Sequence, residues 1–316
     1  MASGAGASGI PAATLTQVAL LYYRDGLTQG EIAARVGLSR ATVINYLRLA
    51  RDSGVVEIRI NGDGFATSRL SRDLAARWRL TAAYLAPTPG SGHETISTLA
   101  QVAAIAVADL LTPEARLGLA WGETVQAVAE AFPLRAMTGL TVHQMVGSMH
   151  GERLFAAESC AFEIARKCQA DCRTLHAPAV LSSAALAEAL RAEPVIRDQL
   201  QQFDRLSHAL FSVGSLGPRT TLVTSGISTA AEVAAYAEAG AAAVLCGHFI
   251  DEGGRAMTTP LGDRMIGITA GQLARVPTRI LVAAGKDKLD AIRALLKGGY
   301  VSHLMTDESC AKALLA

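Results

Sequence analysis

The chain has 316 residues, half of them apolar, 18% charged and 5% aromatic, with a net charge of +1. That length allows a small module beside one larger domain with a broad aliphatic core, and the charge balance excludes a purely architectural DNA binder, which would be basic throughout. No apolar run approaches the ~20 residues of a membrane helix, and five cysteines without CxxC spacing read as buried free thiols of a reduced, cytoplasmic protein.

Residues 1–13, MASGAGASGIPAA, are small and uncharged. They lack the basic start and apolar core of a signal peptide and read as a disordered leader. Residues 14–60 carry the spacing of a helix-turn-helix DNA-binding domain. An amphipathic helix over 15–25 supplies Val18, Leu21 and Tyr22. Thr28 with Glu31 forms a capping box for the next helix, in which Ile32, Ala33 and Val36 face inward. Gly37 ends it, Leu38 plugs the corner, and Ser39 caps a third helix. Val43, Tyr46, Leu47 and Ala50 face inward there, so Arg40, Ala41, Ile44, Asn45 and Arg48 point outward, as a helix in a major groove requires. Arg40, Ala41, Ile44 and Asn45 are the predicted base readers, because Arg suits guanine edges and Asn adenine edges. Thr28, Gln29, Ser39 and Arg48 are predicted nearer the phosphates. Residues 54–60 read as a turn into a strand, a wing. Residues 1–80 hold ten arginines against six Asp and Glu, leaving the remainder at minus three. Affinity scales with the phosphates neutralised, so so small a surplus calls for a dimer or higher assembly.

Residues 61–81 read as a linker, with a turn at 61–64 and a short basic helix over 68–79 presenting Leu70, Leu74 and Trp78. From 82 to 316, short apolar strands alternate with Ala-rich helices. The predicted strands are 82–85, 116–120, 140–145, 173–176, 208–213, 242–246, 278–283 and 301–305. The predicted helices are 96–111, 125–132, 155–169, 184–192, 195–203, 229–239, 288–296 and 308–315. Such alternation specifies an α/β domain with a mainly parallel sheet. Ligands of such sheets sit beyond the carboxyl ends of the strands. The candidate loops there are 119–124 with Gly122, Glu123 and Thr124, 145–149 with Gly147 and Ser148, 213–217 with Gly214, 247–254 with Asp251, and 284–288 paired with 305–308. GxGxxG after the first strand, GxxxxGK[ST], HExxH and GxSxG are all missing, so no cofactor, catalytic set or metal site is expected. Cys168 and Cys172 are four apart and suit one helix face, but two thiols alone do not make a metal site.

The segments LYYRDGLTQGEIAARVGLSRATVINYLRLARDSGVVEIRI, LGLAWGETV, VGSM, LHAPA, VGSLG, CGHFIDEGG and VAAGKDKLDAIRALLKGGYVSHLMTDESCAKALL follow one another over nearly the whole chain. In that order they resemble the SorC family of bacterial transcription regulators, the sugar-binding DeoR-like group. The resemblance implies a DNA-binding head on an effector domain similar in fold to phosphosugar isomerases and CoA transferases. It implies homo-oligomers, dimers or tetramers, that bind a sugar, polyol or sugar phosphate, with the ligand altering binding to double-stranded operator DNA. Carried over by motif, Gly122, Glu123 and Thr124 fall in the loop that holds an effector oxyanion. Asp251 is the acid of the fourth loop, Lys288 the lysine of the GxxK segment, and Thr306 and Asp307 close the far side. Glu123 beside that helix start repels a phosphate by on the order of 1 kcal/mol, which favours a neutral sugar or polyol. Pointing to solvent, as Glu in a first turn commonly does, it would leave the loop open to phosphate.

The expected function is that of a ligand-responsive, non-enzymatic regulator of a carbohydrate or polyol operon. The alternative is a sugar-phosphate isomerase-like enzyme with an appended DNA-binding head. Asp251 and Lys288 are groups able to move protons, but the seven histidines are scattered and no acid is paired with a base.

Overall fold

A computed structural model describes residues 12–56, 62–88, 92–149, 156–217 and 220–316. The chain divides into two compact units, Met1–Ile60 and Asn61–Ala316.

The smaller unit contains α1 (Ala12–Ala19), a π-helical turn (Leu20–Arg24), α2 (Gln29–Val36) and α3 (Arg40–Asp52). The first helix therefore takes in Ala12 and Ala13 of the expected leader, and residues 1–11 lie outside the described residues. One helix was expected over 15–25, but its second half widens, with Asp25 N–H donating to Leu20 O at 3.0 Å. Val18, Leu21, Ile32, Ala33, Val43 and Leu47 form the core, flanked by Tyr22, Val36, Leu38 and Tyr46. Thr28 Oγ1 accepts from Glu31 N–H, and Glu31 Oε2 accepts from Thr28 N–H at 2.8 Å, which completes the capping box. Gly37 adopts φ 67°, a left-handed conformation that L side chains resist. Ser39 Oγ accepts from Thr42 N–H at 3.0 Å and starts α3. The expected wing falls largely on 57–60, outside the described residues.

The larger unit carries nine strands among its described residues. They are β1 (Ala82–Ala86), β2 (Arg116–Leu119), β3 (Thr141–Gln144), β4 (Asp171–Arg173), β5 (His208–Phe211), β6 (Ala241–Leu245), β7 (His248–Asp251), β8 (Thr278–Val282) and β9 (His303–Asp307). Seven form one sheet in the order β1-β9-β8-β5-β2-β3-β4, and every pairing in it is parallel. Both faces are covered, as an all-parallel sheet requires. The helices are α4 (Arg69–Trp78), α5 (Gly92–Leu110), α6 (Glu123–Ala131), α7 (Ala157–Cys168), α8 (Ala184–Ala192), α9 (Pro194–Gln201), α10 (Thr221–Thr224), α11 (Ala230–Glu238), α12 (Pro260–Arg264), α13 (Ala270–Arg275), α14 (Leu289–Lys297) and α15 (Glu308–Leu315). Strand alternation sorts the two cores. Tyr84, Leu210, Ile280, Val282 and Met305 join the core that includes α5, α6 and α7. Leu85, Phe211, Leu281 and Leu304 join the opposite one, with Leu74, Ile292, Leu295 and Leu314.

Two expectations need correction. The strand expected over 242–246 forms, as β6, but leaves the sheet and pairs antiparallel with β7, a segment read from sequence as loop. Cys246 (φ 49°) and Gly247 (φ 88°) make the two-residue turn, and positive φ at both positions matches the twist of a tight hairpin. The fourth strand lies at 171–173 rather than 173–176, an edge strand with mostly exposed residues. This places Cys168 at the end of α7 and Cys172 on β4, so no helix face holds both.

Residues 62–78 are built into the larger unit rather than hanging between domains. Leu74 is fully buried, Ser71 Oγ donates to Ala83 O of β1, and Trp78 Nε1 donates to Leu314 O of α15 at 3.1 Å. Leu74→Ala is therefore expected to cost about 2–5 kcal/mol, the range for truncating a buried leucine. Arg69→Ala, at a side chain 90% exposed, is expected to change stability by less than about 0.5 kcal/mol. Denaturant midpoints of the two variants check this, and a near-neutral Leu74→Ala would return the segment to a linker.

Candidate functional site

The chain reverses direction across the sheet at β2. From β2 it runs outward through β3 and β4, then returns to β5 on the other side of β2 and continues through β8 to β9, which lies between β8 and the first strand, β1. Ligands of open α/β sheets bind at such a reversal, beyond the carboxyl ends of the strands. A cavity of about 2100 Å³ opens there, walled by residues that follow β1, β2, β5, β8 and β9.

Six predicted residues share its wall: Gly122, Glu123, Thr124, Gly214, Lys288 and Asp307. Gly122 has φ 126° and begins α6 without a side-chain cap. A Cβ there would meet nothing within 4 Å, so backbone conformation, not space, demands glycine. The first N–H groups of α6 are left without intrahelical acceptors, an arrangement suited to an oxygen ligand. Gly285 repeats the device with φ 105° ahead of the helical turn Lys286–Lys288. Thr124 is buried and Glu123 exposed. Burial pushes the Lys288 ammonium down from its ordinary range, while the Asp287 and Glu123 carboxylates oppose that shift.

Asp307 is 1% exposed and ties three strand ends together. Its Oδ1 accepts from Ser309 N–H at 2.9 Å, Cys310 N–H at 3.1 Å and Thr88 Oγ1 at 3.0 Å. Its Oδ2 takes a long contact from Gly285 N–H at 3.4 Å. Burial pushes this carboxyl up, but the hydrogen bonds from Ser309, Cys310 and Thr88 outweigh it and hold it at about 2.

Four predicted residues stand off the cavity wall. Gly147 packs so closely that a Cβ would lie 2.5 Å from the Pro178 carbonyl, and Ser148 N–H donates to Ala177 O. That loop is stitched into a neighbouring segment, and Met149 reaches the wall instead. Asp251 accepts from Arg255 N–H at 2.8 Å and Arg255 Nε at 2.9 Å, and Glu252 lines the cavity in its place. Thr306 is fully buried off the cavity wall, next to Asp307 at the end of β9, and its Oγ1 has no partner among the described residues. Conversely Ser212 and Thr220 line the cavity with buried hydroxyl oxygens that have no partner. The sequence reading placed Ser212 inside a strand, whereas β5 ends at Phe211.

On the smaller unit, Arg40, Ala41, Ile44, Asn45 and Arg48 are all exposed along α3. Ile44 is 47% exposed. Arg48 donates to Asp52 at 2.8 Å and to Asn45 Oδ1 at 2.9 Å, so the predicted base reader Asn45 and the predicted phosphate contact Arg48 are held together. The Thr28 and Ser39 hydroxyls are engaged in capping α2 and α3, and Gln29 is half-buried.

Among the described residues no group of three or more His, Cys, Asp or Glu is placed to hold a metal, and no helix is long and apolar enough to cross a membrane. Burial pushes the thiols of Cys160, Cys246 and Cys310 up to about 12. It pushes the imidazoles of His143 and His303 down to about 4.

The depressed Asp307 carboxyl predicts a pH dependence. Stability from this group is complete above the ordinary carboxyl range and is lost as pH falls from about 4 towards 2. The loss amounts to about 2 kcal/mol. Asp307→Asn is expected to be less stable at pH 7 and to lack that increment of acid sensitivity. Parallel acid titrations of both proteins test this, and identical pH slopes would contradict it.

Residues 63–316 match the family model described as "Putative sugar-binding domain", and residues 19–57 match a winged helix-turn-helix DNA-binding model. The chain is 32% identical over 302 residues to the uncharacterized transcriptional regulator YjhU of Escherichia coli K12, covering 94% of this chain and 92% of that protein. It is 30% identical over 310 residues to the transcriptional regulator LsrR of Enterobacter sp. strain 638, covering 96% and 92%. The crystal structure of the full-length sorbitol operon regulator SorC from Klebsiella pneumoniae shares the fold, with a TM-score of 0.79 at 24% identity over 98% of this chain and 100% of that one. With a DNA-binding helix-turn-helix followed by a sugar-binding α/β domain, the chain belongs to the SorC family of sugar-binding transcriptional regulators.

Proposed function

We propose that a sugar, polyol or sugar phosphate binds at the carboxyl edge of the sheet and alters binding of α3 to operator DNA, regulating a carbohydrate operon in the cytoplasm. The observation that carries this is the convergence of Gly122, Glu123, Thr124, Gly214, Lys288 and Asp307 on one cavity wall at the strand-order reversal. Free N–H groups at α6, buried hydroxyls and carboxylates together suit a ligand rich in hydroxyl groups. A relative 25% identical over 305 residues, from Klebsiella pneumoniae, is named sorbitol operon regulator, which fits a polyol among the effector classes.

Arg40, Ala41, Ile44 and Asn45 are assigned to base edges, and Thr28, Gln29, Ser39 and Arg48 to the phosphate backbone. The arginine surplus on residues 1–80 is small, so affinity comes from a homo-oligomer, a dimer or tetramer, that places two or more heads on one operator. An effector with about 1–3 kcal/mol of preference between head spacings suffices as a switch.

Arg40→Ala is expected to weaken binding to an operator selected from randomised DNA by roughly 5–150-fold and to relax preference at one base position, the range for one bidentate contact. Unchanged affinity and preference in a binding-site selection would displace α3 from the groove. Gly122→Val is expected to leave operator binding intact and to abolish its response to the effector, because valine strains φ 126°. A retained response in a DNA-binding titration would place the effector elsewhere.

A further inference from the structure

We infer that the larger unit carries a second ligand site, apart from the carboxyl edge, where Arg116, Arg173 and His143 hold a compact small-molecule dianion of the phosphate or dicarboxylate type. It does not depend on the effector-site reading, because its wall shares no residue with the first cavity.

The register of the sheet builds this site. Across β2, β3 and β4, Arg116, Thr141 and Asp171 pair in one row, and Gly118, His143 and Arg173 pair in the row two residues on. Paired residues and residues two apart share one face of a sheet, so both arginines stand on the same face as His143. A cavity of about 580 Å³ lies there, bounded on its other side by Asp198 and Gln199 of α9 and by Gln202 beyond it. Gln199 fixes that wall, since its Oε1 accepts from His176 N–H at 3.1 Å and its Nε2 donates to Thr174 O at 2.9 Å. Arg116 and Thr141 are the first residues of their strands, which sets the cavity towards the amino ends, away from the first.

Two wall residues lack the partners that their chemistry calls for. Arg116 is half-buried, yet it makes no ion pair among the described residues, and its side chain makes one long contact of 3.4 Å with Gln202 Oε1. His143 is 5% exposed. Its Nε2 lies 3.2 Å from Thr141 Oγ1, and its Nδ1 has no partner among the described residues. Burial pushes this imidazole down to about 4, and the charges that add to the shift, those of Arg116 and Arg173, are both cationic. Arg173 meets Asp171 at 3.3 Å, but that carboxylate is 71% exposed and engages one nitrogen of the guanidinium. Asp198 is the one carboxylate on the wall among the described residues, against two guanidinium groups. A dianion supplies what is missing, with several acceptor oxygens for two guanidinium forks and a ring N–H.

Inorganic phosphate and malonate serve as probes on the full chain, with sodium chloride at equal ionic strength as reference. Wild type is expected to show a saturable rise in melting temperature of roughly 2 °C or more with at least one probe. Gly122→Val is expected to keep that rise, and Arg116→Gln and Arg173→Gln each to lose it. No saturable rise in wild type, or a rise that survives in Arg116→Gln, would overturn the inference. So would a rise that disappears in Gly122→Val, since the probe would then belong to the first cavity. A ligand-free check comes from Arg116→Gln in chloride alone. With one of two unbalanced guanidinium charges removed, it is expected to melt no lower than wild type, and a clear fall would give Arg116 a structural role and overturn the site. The effector-site reading is judged separately, by the response of operator binding in Gly122→Val.

Discussion

Seven strands lying parallel put all their carboxyl ends on one edge of the sheet, and the rest of the larger unit follows from that constraint. A parallel sheet must be covered on both faces, so the chain supplies helices to each and sorts its apolar residues by strand alternation. Every strand end on that edge then feeds a loop that enters a helix or turn. Where the strand order reverses at β2, the loops diverge to opposite faces and leave a gap. Glycines at positive φ, Gly122 and Gly285, open helix starts towards that gap. Asp307 draws the ends of β1, β8 and β9 together around one carboxylate. The cavity is thus a product of topology, and its chemistry is a product of the few side chains that the loops leave free.

Much of this was legible in the sequence because the signals are local. The capping box of Thr28 and Glu31, the left-handed Gly37 and the cap at Ser39 each act within four residues, so the head could be read with its register. Helices such as 184–192 and 308–315 were read to the residue for the same reason. The sheet's parallel character was legible from strand–helix alternation. The errors arose where tertiary pairing decides the outcome. β6 reads as any buried strand, and nothing in its composition tells that it pairs with β7 instead of joining the sheet. Asp251 looked free in sequence but is held by Arg255, a partner four residues away across a tight turn. Gly147 read as a ligand loop, whereas its lack of a side chain serves a close approach to Pro178. Ser212 and Thr220 carried no sequence signal, since an unpartnered hydroxyl is defined only by what surrounds it.

The two units divide the physical work. Residues 1–60 hold six arginines against four Asp and Glu, which leaves the larger unit at minus one, and among the described residues the cavity is lined by more carboxylates than lysines. In the proposed homo-oligomer, operator affinity would depend on how many heads engage at once, and a ligand that changed their spacing would act on affinity directly. Regulation then requires no new contact between ligand and DNA.

Hydrogen–deuterium exchange of the full-length protein, with and without a sugar that changes its operator binding, tests the central claim most directly. Binding at the carboxyl edge predicts slowed exchange at the amides of 120–125, 212–217 and 284–288, the segments that follow β2, β5 and β8. Slowed exchange elsewhere, with these three segments unchanged, would contradict the account and move the effector site off the strand-order reversal.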